Sequence, residues 1–159
     1  MEILVLADTH LKDDFNQLPV EVKKKINKVD LVLHAGDFKT LKFYNSLKKQ
    51  NKLKGVSGNI DRYNLKKKLN EKEIFELKGH KIAMIHGHQL SSITPDKLSY
   101  LFPEVDIIIF GHTHKPVNKK IKGQLFFNPG SSIQKRLQDK YSYGIIKLNK
   151  KISSQIIRF

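Results

Sequence analysis

Short apolar runs alternate with amphipathic segments along the chain. The apolar runs are four to six residues long, partly β-branched, and bounded by glycine or polar residues, a pattern typical of strands. They predict strands over residues 3–7, 31–35, 53–57, 73–77, 81–85, 105–110, 124–127, 143–148 and 152–157. Segments with apolar residues at helical spacing predict helices over residues 19–29, 41–49 and 95–101.

The order of these elements indicates a mixed α/β domain. Strand, helix and strand follow one another at the start, which favours parallel pairing through helical crossovers. Two later pairs of strands, turned at Gly79 and at residues 149–151, predict antiparallel hairpins. No repeat, low-complexity tract or linker interrupts the pattern, so we expect a single domain over residues 1–159.

The composition narrows the class of protein further. The chain has 159 residues and no cysteine, which excludes disulfides, thiolate metal ligands and cysteine nucleophiles. No apolar run approaches the roughly 20 residues that a membrane helix needs. The first residues do not resemble a signal peptide. We therefore expect a soluble cytoplasmic protein with no membrane association.

Lysine dominates the charge of the chain. The net charge is +15, from 27 lysines and three arginines against 15 acidic residues. The lysines are spread along the sequence, and arginine, whose planar group suits phosphate and base recognition, is scarce. We interpret most of this charge as a solvated surface and expect only weak, salt-sensitive binding of polyanions.

Five of the predicted strands end at residues that commonly bind metal ions. These candidate ligands are Asp8, His10, Asp37, Asn59, His86, His112 and His114. Functional sites assemble at the carboxyl ends of strands in α/β sheets, so we expect these side chains to meet. Carboxylate, amide and imidazole together favour first-row divalent ions such as Mn, Fe, Ni, Co or Zn. Two such ions about 3.5–4 Å apart stabilise both the attacking and the leaving oxygen of a phosphoryl displacement.

The residues around the candidate ligands form an ordered series of motifs. They are Asp8-Thr9-His10, Gly36-Asp37, Gly58-Asn59, His86-Gly87-His88, Gly111-His112-Thr113-His114 and Asn128-Pro129-Gly130-Ser131. In this order they resemble the signature of calcineurin-like metallophosphoesterases, and more closely that of the small single-domain phosphodiesterases of archaea and bacteria. Each motif alone is weak or moderately specific, but the six together, over residues 8–131, are highly specific.

The resemblance implies a fold, a metal site and an activity. The fold would be a four-layer α-β-β-α sandwich of two mixed β-sheets with helices outside. The implied ligands are Asp8, His10 and His114 for one metal ion, Asn59, His86 and His112 for the other, and Asp37 as the bridge between them. The activity would be that of a metal-dependent phosphodiesterase, which hydrolyses a small phosphodiester with a metal-bound hydroxide.

Catalysis would act through the two divalent ions, for which Mn is the expected metal. The residues assigned to it are Asp37, Asn59 and His86, with His88 as an accessory candidate. The sequence does not decide whether His88 lies in the substrate pocket, next to the ligands or on the surface. Asn59 has the alternative interpretation of a turn residue after glycine.

The third motif departs from that of many family members. Those proteins have Gly-Asn-His-Asp or Gly-Asn-His-Glu, and their histidine protonates the leaving oxygen or steadies the transition state. Here the motif is Gly58-Asn59-Ile60-Asp61. Ile60 cannot donate a proton, so hydrolysis of esters with poor leaving groups needs another acid, such as His88 or a water. The closely resembling branch also lacks this histidine, so its loss alone does not indicate an inactive enzyme.

Several other polar residues have interpretations outside the ligand set. Asp61 either lies next to the ligands or forms an ion pair with Arg62. His34, in an apolar strand, and His80, in a hairpin turn, are predicted to be structural. Asn128-Pro129-Gly130 fits a turn that shapes the rim of the site.

Two other functions compete with that of a phosphodiesterase. A eukaryotic retromer subunit of the same fold serves as a protein-interaction scaffold with a degraded metal site. This chain retains all seven candidate ligands, which favours an enzyme. A nuclease has mild support from the positive charge, but the chain has no extra domain to clamp a duplex. The physiological substrate and the formation of a homo-oligomer stay open.

Overall fold

The computed structural model describes all 159 residues, and its strands form two five-stranded sheets packed face to face. The strands are β1 (Glu2–Leu6), β2 (Leu31–His34), β3 (Leu53–Gly55), β4 (Lys72–Leu77), β5 (His80–Ile85), β6 (Ile107–Phe110), β7 (Val117–Ile121), β8 (Gln124–Asn128), β9 (Ser142–Leu148) and β10 (Ile152–Arg158). The helices are α1 (Val20–Ile26), α2 (Leu41–Lys48), α3 (Tyr63–Lys66) and α4 (Pro95–Leu101), with a 3-10 turn at Phe15–Gln17. None of the helices is long and apolar enough to cross a membrane.

Both sheets are mixed, as the sequence predicts. The first has the order β10-β9-β1-β2-β3, and the second has the order β4-β5-β6-β8-β7. Strands β1, β2 and β3 are parallel, and so are β5, β6 and β8. The hairpins β4–β5, β7–β8 and β9–β10 are antiparallel. The carboxyl ends of the parallel strands therefore lie together at one edge of each sheet.

The apolar residues form three clusters that define four layers. A cluster of 15 buried residues lies between the sheets and includes Val5, Ile109 and Phe127. A second cluster packs α1, α2 and α3 against the outer face of the first sheet. A third packs Leu98 of α4 and Phe102 against the outer face of the second sheet. The α-β-β-α sandwich implied by the sequence motifs is thus confirmed.

Three elements differ from the sequence prediction. The sequence does not predict β7, because four of its five residues are exposed and their pattern carries no apolar alternation. The single turn α3 is also not predicted. The helix predicted over residues 19–29 ends at Ile26, where the Asn51 side chain donates to the carbonyl oxygens of Ile26 and Val29 at 2.6 and 2.8 Å. Those bonds satisfy two carbonyl groups at the end of the helix and just after it that have no partner within the helix.

The two sheets come into close contact at the edge where the parallel strands end. A Cβ atom added at Gly36, after β2, would lie 2.7 Å from Nδ1 of His86, after β5. One added at Gly111, after β6, would lie 2.8 Å from the carbonyl oxygen of Ala35 and 3.0 Å from Cβ of Ala7. Glycine at both positions therefore lets the polar residues after the strands of one sheet meet those of the other.

The packing between the sheets also depends on Gly144 of β9. Gly144 pairs with Val5 of β1, and a Cβ atom there would collide with the Phe127 ring of the facing sheet. We predict that Gly144→Ala lowers the free energy of unfolding by about 1–3 kcal/mol, because an overpacked core must shift. Urea unfolding followed by circular dichroism measures this.

Lys24→Ala is the control for that experiment. Lys24 is exposed on α1, so alanine at this position meets no packed neighbours. The free energy of unfolding of this variant should change by less than roughly 0.5 kcal/mol. Gly144→Ala and wild-type protein unfolding at the same urea concentration would contradict the packing described.

Candidate metal centre

The loops after β1, β2, β3, β5 and β6 carry all seven candidate ligands to the edge where the sheets meet. Their histidine and acidic residues form two close groups, in which one ligand atom per residue lies within 4.8 Å of the others. The groups are Asp8, His10 and His114, and Asp8, Asp37 and His86. The structure thus brings five of the seven predicted ligands together through these contacts, and the two groups share Asp8.

The first group is centred on Asp8. Nε2 of His114 lies 3.5 Å, and Nε2 of His10 3.9 Å, from Oδ1 of Asp8. Nδ1 of His114 is 3.1 Å from the carbonyl oxygen of Gln134. A bond from that nitrogen to the carbonyl orients the ring with Nε2 facing the carboxylate, an arrangement typical of histidines that bind metal ions.

The second group is centred on His86. Its Nε2 lies 3.3 Å from Oδ2 of Asp37 and 3.9 Å from Oδ1 of Asp8. Its Nδ1 is 2.8 Å from the carbonyl oxygen of Ala35, so this ring too directs Nε2 into the cluster. Oδ1 of Asn59 lies 3.1 Å from the same Nε2, which adds Asn59 to the group.

Asp37 lies between the two groups. Its Oδ2 is 3.6 Å from Nε2 of His10 and 3.3 Å from Nε2 of His86. Its Oδ1 accepts a hydrogen bond from the N–H of Ile60 at 3.0 Å. The carboxylate is therefore fixed with one oxygen near a histidine of each group.

His112 and His88 lie at the border of the cluster. The His112 ring is half-buried, 5.2 Å from the His86 ring, and belongs to neither close group. The His88 ring is 5.5 Å from that of His86 and 6.4 Å from that of His112. Among the interpretations that the sequence left open for His88, the structure therefore favours a place next to the ligands.

Five of the seven candidate ligands have left-handed backbone conformations. The values of φ are 53° at Asp8 and His10, 60° at Asp37, 68° at His112 and 57° at His114. This region is uncommon for residues other than glycine and costs roughly 1–3 kcal/mol at each position. Backbone strain of this kind concentrates at functional sites, where it holds side chains in the geometry that the chemistry needs.

Several atoms of the cluster are buried without a hydrogen-bond partner. They are both carboxylate oxygens of Asp8 and Nε2 of His10 and of His114. Asp8 is 0% exposed. A buried carboxylate without a partner is strongly unfavourable unless a positive charge lies beside it. The carboxylate oxygens and imidazole nitrogens are the ligands that divalent cations take, so the residues present fit a metal ion.

The pKa values of Asp37 and His86 are shifted in opposite directions. Burial works to raise the pKa of Asp37, but the hydrogen bond and charge of His86 outweigh it and hold that pKa below its ordinary value. Burial works to lower the pKa of His86, but the hydrogen bond to Asp37 and the charge of Asp8 raise it above its ordinary value. In the protein alone, each group stabilises the charged form of the other.

Asp61 holds the loops that carry the cluster by hydrogen bonds to their backbone. Its carboxylate accepts hydrogen bonds from the backbone N–H groups of Asp37, Lys39 and Gly58 at 3.2, 2.6 and 2.8 Å. It therefore joins the loop after β2 to the loop after β3. Of the two roles that the sequence left open, a place next to the ligands or an ion pair with Arg62, the structure shows the first. Burial is the largest influence on the pKa of Asp61 and raises it.

The turn at residues 128–131 holds the loop after β6. The Asn128 side chain donates to the carbonyl oxygen of Gly111 at 2.9 Å and to Oγ1 of Thr113 at 3.1 Å. These bonds agree with the predicted role of the turn in shaping the rim. Oγ of Ser131 donates to the carbonyl oxygen of Asp8 at 2.7 Å. The sequence reasoning missed this contact, although Ser131 is the last residue of the final motif.

The two histidines predicted to be structural lie outside the cluster. His34 is fully buried, stacks on Phe38 at 3.6 Å, and has Nε2 3.0 Å from Oγ1 of Thr9. Burial holds the pKa of His34 well below its ordinary value. Nε2 of His80 lies 3.0 Å from the carbonyl oxygen of Asn149.

Comparison with known sequences identifies the family. The sequence model of the calcineurin-like phosphoesterase superfamily domain matches residues 1–151. The fold and the cluster are thus those of a metallophosphoesterase, and the chain belongs to the calcineurin-like phosphoesterase superfamily.

Two archaeal relatives carry the same family description. "Probable metallophosphoesterase" of Methanothermobacter thermautotrophicus is 32% identical over 162 residues, which cover 99% of this chain and 92% of that protein. "Probable metallophosphoesterase MJ0623" of Methanocaldococcus jannaschii is 40% identical over 134 residues, which cover 82% of this chain and 68% of that protein. The resemblance drawn from the sequence motifs is confirmed.

Solved structures share the complete fold. The structure of an archaeal protein described as a novel phosphodiesterase has a TM-score of 0.81 and 25% identity and covers 100% of both chains. Vps29 from Entamoeba histolytica in complex with Zn²⁺ has a TM-score of 0.79 and 25% identity and covers 99% of both chains.

We predict that divalent metal stabilises the folded chain, because the Asp8 carboxylate and Nε2 of His10 and of His114 lack hydrogen-bond partners. With Mn²⁺ at about 100 times its Kd, the free energy of unfolding should rise by roughly 2.7 kcal/mol for one site. Urea unfolding in Mn²⁺ and in a chelator measures the difference. Asp8→Asn should reduce it, whereas Asp139→Asn, at an exposed position, should retain it. Equal stability of the wild type in both solutions would contradict a metal site here.

Proposed function

We propose that the chain is a phosphodiesterase that binds two divalent metal ions at this cluster. The observation that carries the proposal is the position of Oδ2 of Asp37, 3.6 Å from Nε2 of His10 and 3.3 Å from Nε2 of His86. A carboxylate between two sets of imidazole ligands is suited to bridge two ions. The family match and the likeness to a structure described as an archaeal phosphodiesterase support this assignment.

The proposed ligand sets extend the two groups by Asn59, which lies beside His86, and by His112 at the border of the cluster. They are Asp8, His10 and His114 for one ion, Asn59, His86 and His112 for the other, and Asp37 for both. When bound, the ions supply a hydroxide nucleophile near neutral pH and neutralise charge on the phosphoryl oxygens. The Ile60 N–H and the carboxylate of Asp61 fix the loops that orient Asp37.

The residue at position 60 favours diesters over monoesters. Ile60 is half-buried in the turn after β3, directly after the proposed ligand Asn59, and its side chain offers no proton. A general acid is worth roughly 10²–10⁴-fold in rate and matters most when the departing alkoxide is strongly basic. A diester also brings one negative charge to the ions instead of two. We therefore propose a small phosphodiester with a good leaving group as the substrate class.

Manganese is the proposed metal. The cluster has oxygen and imidazole ligands but no thiolate, a set that suits Mn²⁺, with Ni²⁺, Co²⁺ or Fe²⁺ as alternatives. By the general order of metal affinities, Zn²⁺ binds such ligands more tightly than Mn²⁺ does. Tight binding does not by itself make Zn²⁺ the better catalyst. A binding scaffold of the same fold is the alternative function, and it would show no metal-dependent hydrolysis.

We predict that Asp37→Ala disrupts both metal positions, whereas His114→Ala disrupts one. The reason is that Asp37 lies beside both His10 and His86, the proposed ligands of different ions, whereas His114 belongs to the first group only. Elemental analysis after reconstitution with Mn²⁺ should give about two ions per wild-type chain, about one for His114→Ala and fewer than one for Asp37→Ala. Wild-type protein with one ion or none, or Asp37→Ala with two, would refute the dinuclear assignment.

We also predict that the Mn²⁺-loaded protein hydrolyses bis(p-nitrophenyl) phosphate faster than p-nitrophenyl phosphate, because position 60 offers no acid for a monoester. Ile60→His should raise the rate on the monoester, by up to about 10²-fold at the lower end of general-acid effects. Initial rates on the same metal-loaded preparations measure both.

Ile60→Gln is the control for those assays, since it adds a polar side chain without an acid. It should leave the ratio of the two rates close to that of the wild type. If the wild type already prefers the monoester, another acid such as His88 supplies the proton, and this account of position 60 is wrong.

A further inference from the structure

One sheet edge of the molecule is long and uncovered. Of the four edge strands, β3 has only three residues. Strands β7 and β10 lie side by side, because Asn118 donates to the carbonyl oxygen of Ser154 at 3.1 Å and accepts from its hydroxyl at 2.7 Å. Strand β4 is the remaining edge, and it has six residues and no proline. An edge of this kind presents unpaired backbone groups to other chains.

The hairpin geometry shows which backbone groups of β4 are free. Lys78 and Gly79 form the two-residue turn between β4 and β5 with φ of +53° and +76°, as in a type I′ turn. Such a turn is closed by a hydrogen-bonded pair, here Leu77 and His80. Because hydrogen-bonded and non-bonded pairs alternate along an antiparallel ladder, every second residue of β4 faces away from β5. The residues whose N–H and C=O groups point outward are Lys72, Ile74 and Glu76.

The same three residues carry a self-complementary pattern of side chains. All three are exposed on one face of β4, and the Ile74 residue is 61% exposed. Lys72 and Glu76 flank Ile74 at equal distances along the strand, with opposite charges. A two-fold axis through Ile74 would place Ile74 opposite its own copy and Lys72 opposite Glu76 of the second copy. Each of these pairs would also be a hydrogen-bonded pair, since the outward backbone groups belong to the same residues.

The opposite face of β4 fits the same register. Glu73 would face Phe75 of the second copy, and the ammonium group of Lys54 lies 5.0 Å from the centroid of that ring. A half-buried acidic residue on an edge strand usually discourages pairing. In this register its charge would lie beside a lysine. Opposite charges that face each other across a strand pair stabilise the pairing.

From this edge we propose that two copies of the chain associate through β4, antiparallel about Ile74, into one continuous ten-stranded sheet. Ile74 also borders a hollow of about 390 Å³ between β4 and α4, lined in part by Leu101 and Pro103, which offers apolar surface to the second Ile74. Lys72 pairs with Ile85, next to the metal cluster, so the two clusters would lie at opposite ends of the joined sheet. Both would stay open, and association should leave hydrolysis unchanged.

Light scattering coupled to size exclusion tests the proposal over a dilution series at about 0.15 M salt, where charges more than about 8 Å apart are screened. The wild type should approach twice the mass of the 18.4 kDa chain as concentration rises. Lys72→Glu and Glu76→Lys should each give monomers, because like charges then face each other. The double variant Lys72→Glu/Glu76→Lys restores opposite charges in the same register, so it should dimerise again.

Lys120→Glu is the matched control, because it makes the same charge change on the exposed β7 strand. It should dimerise like the wild type, and circular dichroism should show that all variants are folded. A monomeric wild type at every concentration overturns the proposal. Single variants that remain dimers, or a double variant that stays monomeric, overturn the register.

Discussion

Two carboxylates, those of Asp8 and Asp37, are buried together at the junction of the two sheets, and the site is built around this concentration of negative charge. Asp8 is fully buried and Asp37 is 2% exposed. Such a pair is stable only with positive charge beside it. Three imidazoles, those of His10, His86 and His114, direct Nε2 towards the carboxylates at 3.3–3.9 Å. In the protein alone, the hydrogen bond to Asp37 and the charge of Asp8 raise the pKa of His86, which favours its positively charged form. Neutral histidines would instead share a metal ion with the carboxylates.

The sandwich fold brings the residues of this charge cluster together and holds them in place. Parallel strands in both sheets end at the same edge, and Gly36 and Gly111 let the two edges approach. Left-handed residues place the candidate ligands within two to four residues of a strand end. Asp61, Asn128 and Ser131 then join the loops by hydrogen bonds to backbone groups. The geometry of the candidate ligands therefore depends on the strand ends rather than on long loops.

The sequence predicts that the candidate ligands meet, because each one follows an apolar run that is easy to recognise, and the structure brings five of the seven together. The layers are also predictable, because apolar residues recur with different spacing in strands and in helices. The supporting contacts are not, because they join residues far apart in the chain: Ser131 reaches the carbonyl of Asp8, and Asp61 reaches the N–H of Asp37. Strand β7 is not predicted because it has no apolar pattern. It is extended because it pairs with β8 along the chain's hairpin. Which backbone groups of β4 point outward can be inferred only from the register of its hairpin with β5, and the sequence alone does not provide that register.

A crystal structure of the Mn²⁺-loaded protein with anomalous scattering recorded at the manganese edge tests the central claim most directly. We expect two anomalous peaks, about 3.5–4 Å apart. One should lie among Asp8, His10 and His114, the other beside His86 and Asn59, with Asp37 within ligand distance of both. A single peak, or none at this cluster, would contradict the two-metal account of the site.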